Sequence, residues 1–327
     1  MKAILRTKSG KDFSTMKVEQ IKSPLTATNE VKVKMKTSRI NPVDMDLMKG
    51  FPSLKYKKQQ IGGIDGAGKI IEIGTDVTEF KVGDEIYFYR LFSDIGTWAE
   101  EITIPQNYIS KIPKTISVKE SGSVALPMLA AYESIISLKA KKGDSILIQG
   151  AGGGVGFMAV QIANSLGLKV IANASEKDVQ ALKNIGVNTI IDYKKDDFFE
   201  VLKNNPPTFI FDVIGKVTLM KSILLKPKKV VSIAFPDPSK MHKSGVNLPW
   251  IFVKIMGIMN RKFIKAAKKA NVELIGQVTG ANGKLLTNAS QLFAENKLVV
   301  REQREIALNE IENNGLSRLD LGKTINF

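Results

Sequence analysis

The chain has 327 residues, more than one ordinary hydrophobic core needs and enough for two domains. Its composition is 43% hydrophobic and 24% charged, with neither a signal-peptide pattern nor an apolar run of membrane-spanning length, so a cytoplasmic globular protein is expected, without integral membrane association. The absence of cysteine and the single histidine exclude disulfides, catalytic thiolates and zinc–thiolate centres, and make a Ser-His-Asp triad hang on His242 alone.

The charge is +16, but only seven of the 48 basic residues are arginine, and no basic stretch is interleaved with aromatics. A lysine-rich composition bias explains this as well as a polyanion partner does, so nucleic acid is not an expected partner. Roughly the first 120 residues read as strands and turns: residues 31–36 alternate apolar and charged at period two, and Gly62, Gly63, Gly66, Gly68, Gly74, Gly83 and Gly96 punctuate the chain. This is the pattern of a mostly antiparallel β domain.

After about Ser121 the rhythm changes. Residues 145–149 form a short apolar strand, 154–166 an amphipathic helix, 169–172 a strand and 179–185 a helix. Three more apolar strands follow at 189–191, 208–213 and 229–233. Continuous apolar strands separated by helices predict a buried, doubly wound parallel sheet. Residues 238–243 read as a surface loop carrying a solvated His242. Residues 250–270 predict a helix with Phe252, Ile255, Met256, Met259 and Phe263 as an apolar stripe and Lys254, Arg261, Lys265 and Lys268 elsewhere. A core helix is preferred there to a membrane-surface one, and a final strand follows at 272–276.

The strongest chemical signal is the segment from Gly150 to Gly156 between the first strand and helix of this second region. Ala151, Gly153 and Gly156 have the spacing of a dinucleotide fingerprint, with Gly154 and Val155 opening the helix on which a pyrophosphate would rest. The end of the next strand distinguishes the dinucleotides. An NAD site usually has a carboxylate there, but Ala174 occupies that position, followed by Ser175, Glu176 and Lys177. Ser175, Lys177 and Tyr193 are suited to a 2′-phosphate, and NADPH is the expected cofactor. Ile214–Gly215, Ile233 and Phe235 follow strand ends where the rest of the cofactor should pass.

Read in order, these motifs resemble the zinc-free quinone-reductase and alkenal/enone-reductase branch of the medium-chain dehydrogenase/reductase superfamily. The resemblance rests on residues 41–44 (Asn-Pro-Val-Asp), 63–70, Gly74, 80–86, 98–100, 126–132, the glycine loop, Asp192–Tyr193 and 321–325. It implies an α/β protein with a GroES-like β-rich catalytic domain from residues 1–121 and 279–327, and a Rossmann NADPH-binding domain from 122–278. It places Asn41 beside the nicotinamide, with Asp44 fixing that loop. It also puts Tyr89, Arg90, Leu91 and Phe92 in a variable loop over the cleft, Tyr89 and Phe92 facing substrate.

Asp65 lies in the region of a zinc-ligand histidine, so no metal is expected. A homodimer joined through the final strand is. The implied reaction is hydride transfer from NADPH to a quinone or α,β-unsaturated carbonyl. The alternatives are another activated double bond (a 2-alkenal or enoyl thioester), or a nucleotide-bound RNA-binding or regulatory protein. Asp46 and Ala130 depart from the Tyr or Lys and the Thr that the branch commonly has at those positions.

Overall fold

The computed structural model describes residues 1–8, 11–49, 59–91, 96–235, 237–243, 249–293, 298–301 and 304–327. In chain order the first stretch holds β1 (Lys2–Arg6), β2 (Met16–Gln20), β3 (Glu30–Arg39), α1 (Pro42–Lys49), β4 (Asp65–Ile73), β5 (Glu85–Tyr89), β6 (Glu101–Pro105), β7 (Ile109–Lys111) and α2 (Val118–Ser121). The middle begins with α3 (Ala125–Ser137), β8 (Ser145–Gln149), α4 (Gly154–Ser165), β9 (Lys169–Ala174), α5 (Val179–Asn184), β10 (Thr189–Asp192) and α6 (Phe198–Leu202). It continues with β11 (Phe209–Asp212), α7 (Val217–Leu224), β12 (Lys229–Ser232), α8 (Pro238–Lys243), α9 (Trp250–Ala270) and β13 (Glu273–Gly276). Helix α10 (Gly283–Gln291), β14 (Glu305–Ala307), α11 (Leu308–Asn314) and β15 (Thr324–Asn326) end the chain.

Two compact units result: residues Met1–Leu126 with Gly280–Phe327, and Pro127–Thr279. In the first, β14-β15-β3-β4-β5-β7 form one sheet and β6 joins it on β3. The alternation in β3 buries Val31, Val33 and Met35 while Lys34 and Lys36 point outward, as its period-two pattern predicts. Trp98 is fully buried. Gly62 and Gly63 make room for it: a Cβ on either would fall 2.3 Å from the indole, and Gly63 adopts a φ of +85° that few other residues tolerate.

The second unit is a six-stranded, all-parallel sheet in the order β10-β9-β8-β11-β12-β13. Its central strands are apolar on both faces because helices cover both. Ile146, Leu147, Ile148, Ile210, Phe211, Val230 and Val231 are all fully buried. The strand order turns back between β8 and β11, the switch point beside which such sheets bind ligands.

Two expectations need correction. Residues 238–243 form the short helix α8, not a loop, so His242 lies on a helical backbone. In α9 only Met256, Phe263 and Ala267 are buried. These lie seven and four residues apart and define the inward line. Ile255 and Met259 fall off it; Met259 is 61% exposed and Trp250 72%. Of the predicted stripe, only Met256 and Phe263 are therefore buried. No helix among the described residues is long and apolar enough to cross a membrane.

Candidate functional site

The glycine loop joins β8 to α4. Gly150 has a φ of +69°, and a Cβ on Gly156 would sit 2.2 Å from the Gly150 carbonyl oxygen, so the loop can fold onto the helix only with glycine there. Gly152 is pressed against the Asp178 carboxylate, 2.2 Å from where its Cβ would be. The first turn of α4 comprises Gly154, Val155 and Gly156, and the leading N–H groups of a helix have no acceptor within it. Ala151 is fully buried, its N–H donating to the Asn173 carbonyl at 3.1 Å. It packs the loop down, and no face of it is left for a ligand.

This loop walls a cleft of about 810 Å³ over the C-terminal ends of β8, β9 and β11. Of the predicted cofactor residues, Gly153, Ser175, Lys177, Tyr193 and Ile214 line it. Ala174, at the expected carboxylate position, is buried. Ser175 is also buried and donates its proton to Asp178 Oδ2 at 2.7 Å. That hydroxyl is thus committed within the protein, and Lys177 and Tyr193, both exposed, are left to meet a phosphate. Glu176 pairs with Lys195 at 2.9 Å, which offsets the negative charge beside Lys177.

Beyond β11 the turn is organised by Asp212, which is fully buried. Its carboxylate accepts from the N–H of Ile214 (3.3 Å) and of Gly215 (3.0 Å), and from the hydroxyls of Thr218 (2.9 Å) and Ser232 (3.2 Å). Burial raises its pKa, against the lowering effect of these donors. Gly215 takes a φ of +82° there. Ile233 lies just past β12, half-buried. Phe235 is buried in the core, its ring edge-to-face with Phe263 at 5.9 Å, so its side chain is spent on packing and not on a cofactor.

In the first unit, Asn41 and Asp44 are both buried, and the Asn41 N–H donates to Asp44 Oδ2 at 2.6 Å across the start of α1. Asn41 Nδ2 donates to Asp65 Oδ1 at 2.8 Å. Asp65 is fully buried, at the head of β4 and directly across the ladder from Tyr89. Asn41, Asp44, Asp65 and Tyr89 therefore form one cluster. Tyr89 ends β5 and is a strand residue, whereas Arg90 and Leu91 follow outside the strand; all three are buried, and the Arg90 N–H donates to the Ile64 carbonyl at 2.8 Å. Phe92 lies outside the described residues. Asp46 points to solvent beside Lys49, and Ala130 is buried in α3.

Burial pushes the Asp65 carboxyl up from 3.8 to about 7, against the lowering effects of the Asn41 hydrogen bond and the Arg39 charge. The folded chain then holds a proton that the unfolded chain releases between pH 4 and 7, so this group lowers stability as pH rises through that window. Glu133, which accepts from Gln277 Nε2 at 3.2 Å, is raised to about 7 and acts in the same direction. Asp65→Asn is expected to flatten the decline in melting temperature between pH 5 and 7.5. Parallel melting curves for variant and parent would refute that assignment.

Sequence reasoning missed Asp178, Asp212 and the amide pair Gln149–Asn173. An Asp at a strand end before Gly was the only signal for Asp212. The other three emerge from strand pairing and turn geometry.

The family models for the alcohol dehydrogenase GroES-like domain and the zinc-binding dehydrogenase match residues 27–114 and 154–248. The mitochondrial enoyl-[acyl-carrier-protein] reductase of Xenopus tropicalis is 26% identical over 65% of this chain and 63% of its own length. Human quinone oxidoreductase is 28% identical over 62% and 63%. The chain thus spans about three-fifths of the length of the curated relatives it matches. Among solved structures, a quinone oxidoreductase from Coxiella burnetii superposes with a TM-score of 0.80 at 24% identity, covering 100% of this chain and 99% of that one. Escherichia coli quinone oxidoreductase complexed with NADPH gives 0.76 at 21%, covering all of both chains. The chain belongs to the medium-chain dehydrogenase/reductase superfamily, in its quinone oxidoreductase branch.

Proposed function

We propose that this protein is a zinc-independent reductase that transfers a hydride from NADPH to a quinone or an α,β-unsaturated carbonyl. The observation that carries this reading is the glycine-walled cleft at the switch point, with no carboxylate at Ala174 and a free-standing Lys177 at its rim. The residues present fit a dinucleotide. Gly152 and Gly153 keep side chains off the loop, and buried polar atoms of Gln149 and Asn173 in the cleft lack partners among the described residues.

When bound, NADPH supplies a hydride to an electron-poor carbon. The loop and the N-terminus of α4 hold the pyrophosphate. Lys177 and Tyr193 take the 2′-phosphate, Lys177 as a point charge and Tyr193 as a hydroxyl donor. Ile214 and Gly215, set by Asp212, shape the wall along which the cofactor extends. Asn41, held by Asp44 and Asp65, is assigned to the reacting end, and Tyr89 and Phe92 to substrate. Conjugate reduction suits these residues because the charge that develops spreads onto an oxygen a polar group can steady, without a Lewis acid. The side chains argue against zinc: the chain has no cysteine, and no group of three or more potential ligands is assembled among the described residues.

Supported by its place in the branch, we also propose a cytoplasmic homodimer. Its sheet would extend through β13, which pairs only with β12 along the described sheet. Light scattering should give the mass of two chains; a monomer at all concentrations would overturn it. Relatedness to an enoyl reductase favours a second reading, reduction of an enoyl thioester.

NADPH and NADH oxidation against 1,4-benzoquinone, 9,10-phenanthrenequinone, a 2-alkenal, a cyclic enone, an enoyl thioester and a simple ketone tests both. Turnover of a quinone or enone, NADPH preferred and the ketone inert, is expected; best turnover of the thioester would promote the second reading. No turnover, with salt-sensitive RNA binding that NADPH displaces, would sink the reductase. Lys177→Ala should raise the KM for NADPH about tenfold, the loss of one exposed charge–phosphate contact, and leave NADH nearly unchanged. An equal loss for both cofactors would remove Lys177 from the 2′-phosphate site.

A further inference from the structure

Beneath the glycine loop lie two buried amides whose hydrogen bonding does not close. Gln149 ends β8, Asn173 is the penultimate residue of β9, and the register of these neighbouring strands sets them side by side. Gln149 is fully buried and Asn173 is 4% exposed. Asn173 Nδ2 donates to Gln149 Oε1 at 2.5 Å. That leaves Gln149 Nε2, a donor, and Asn173 Oδ1, an acceptor, buried with no partner among the described residues. Turning both amides over exchanges which residue holds the donor but still leaves one donor and one acceptor unmet. Such groups are costly when left unmade, and native proteins keep few of them.

Both residues line the cofactor cleft. A ligand group that satisfies them must accept one hydrogen bond and donate another. A phosphate oxygen at neutral pH only accepts, and an aromatic edge carbon does neither; an alcohol hydroxyl does both. The neighbouring lining residues are Ala174, Ser175 and Lys177, at the strand end where an adenosine ribose is held in sheets of this kind.

We propose that the Gln149–Asn173 amide pair recognises a hydroxyl of the adenosine ribose, the task that a carboxylate at Ala174 would otherwise perform. This rests on the dinucleotide reading above. A neutral pair has one advantage over a carboxylate: it binds the hydroxyl without repelling a phosphate on the same ribose, so it is compatible with Lys177 taking the 2′-phosphate.

Calorimetric titration of the full chain with NAD+, its 2′-deoxyadenosine analogue and its 3′-deoxyadenosine analogue tests the assignment. At least one analogue should bind the wild type about tenfold more weakly than NAD+, as loss of one hydroxyl's paired bonds implies. The double variant Gln149→Met/Asn173→Leu should bind all three alike, at the weaker affinity. Without nucleotide it should melt at or above the wild-type temperature, because the unmet groups are gone and the shapes are kept.

Equal binding of the three nucleotides by the wild type would overturn the proposal, as would discrimination that survives in the double variant. A variant that melts far lower while its nucleotide affinities are unchanged would make the pair a structural device and overturn it too. Gln149→Met alone, which removes the donor, decides the second half if the double variant does not fold. Failure of the wild type to bind NAD+ or NADP+ at all would sink the reductase reading itself, whereas binding without discrimination sinks only the amide assignment.

Discussion

Gly156→Ala is expected to weaken NADPH binding about 100-fold, which is roughly 2.7 kcal/mol. The added Cβ would lie 2.2 Å from the Gly150 carbonyl oxygen and 2.7 Å from the Ala151 Cα. Both are backbone atoms of the same loop, so no rotamer relieves the contact and α4 must lift away from β8. Overpacking of this kind costs about 1–3 kcal/mol in stability. The same displacement spreads the loop from the helix N-terminus, where a pyrophosphate needs both together. Gly154→Ala separates the two effects: its Cβ would meet only Pro127 Cγ, at an ordinary 3.6 Å, so that variant should melt at or above the wild type. Fluorescence titration with NADPH beside thermal melts checks the pair. Gly156→Ala binding within about twofold of the wild type would show that the loop does not cradle the phosphates, since twofold is only about 0.4 kcal/mol.

Asp212→Asn is the second large effect. The variant keeps the shape but turns one of two acceptor oxygens into a donor, facing the N–H groups of Ile214 and Gly215 and the hydroxyls of Thr218 and Ser232. An unmet buried donor costs about 1–3 kcal/mol, and two opposed donors put this site at the upper end. With a shift of about 2–4 °C per kcal/mol for chains of this size, a fall of roughly 5–10 °C in melting temperature is expected. Thr218→Val, which removes one of the four donors, should cost only about 1 kcal/mol. The turn also sets Ile214 on the cleft wall, so NADPH affinity should fall for Asp212→Asn more than for Thr218→Val. An unchanged melting temperature would mean that the carboxyl is protonated and already donates to one of the hydroxyls, the state that its burial favours.

Much of the architecture could be read from periodicity. The alternation at residues 31–36 and the apolar runs at 145–149, 208–213 and 229–233 each became a strand of the predicted kind, because a half-buried strand and a doubly covered strand leave different patterns. The glycine loop was legible for a similar reason: its conformation excludes side chains, and that exclusion is written as composition. Tyr89 was read as loop but belongs to β5, because a strand end that stays buried looks, in one dimension, like the start of a loop. The stripe on α9 was overextended because helical spacing records which residues share a face, not how far along the helix a neighbouring surface reaches.

The amino-acid sequence by itself determined the two kinds of sheet, the dinucleotide loop, the missing carboxylate at Ala174 and the lack of thiolate ligands. These follow from local rules: backbone freedom at glycine, the period of burial, and the chemistry a residue type can or cannot supply. Only the tertiary structure decided that Ser175 gives its proton to Asp178, that Asn41 is gripped by Asp44 and Asp65, and that Gln149 lies against Asn173 with a donor and an acceptor unmet. Two of these contacts, Asn41–Asp65 and Gln149–Asn173, join residues 24 apart in the chain. The others, Ser175–Asp178 and Asn41–Asp44, depend on how one short turn closes. Which polar group meets which is settled by strand register and turn geometry, and neither is encoded in any single stretch of residues.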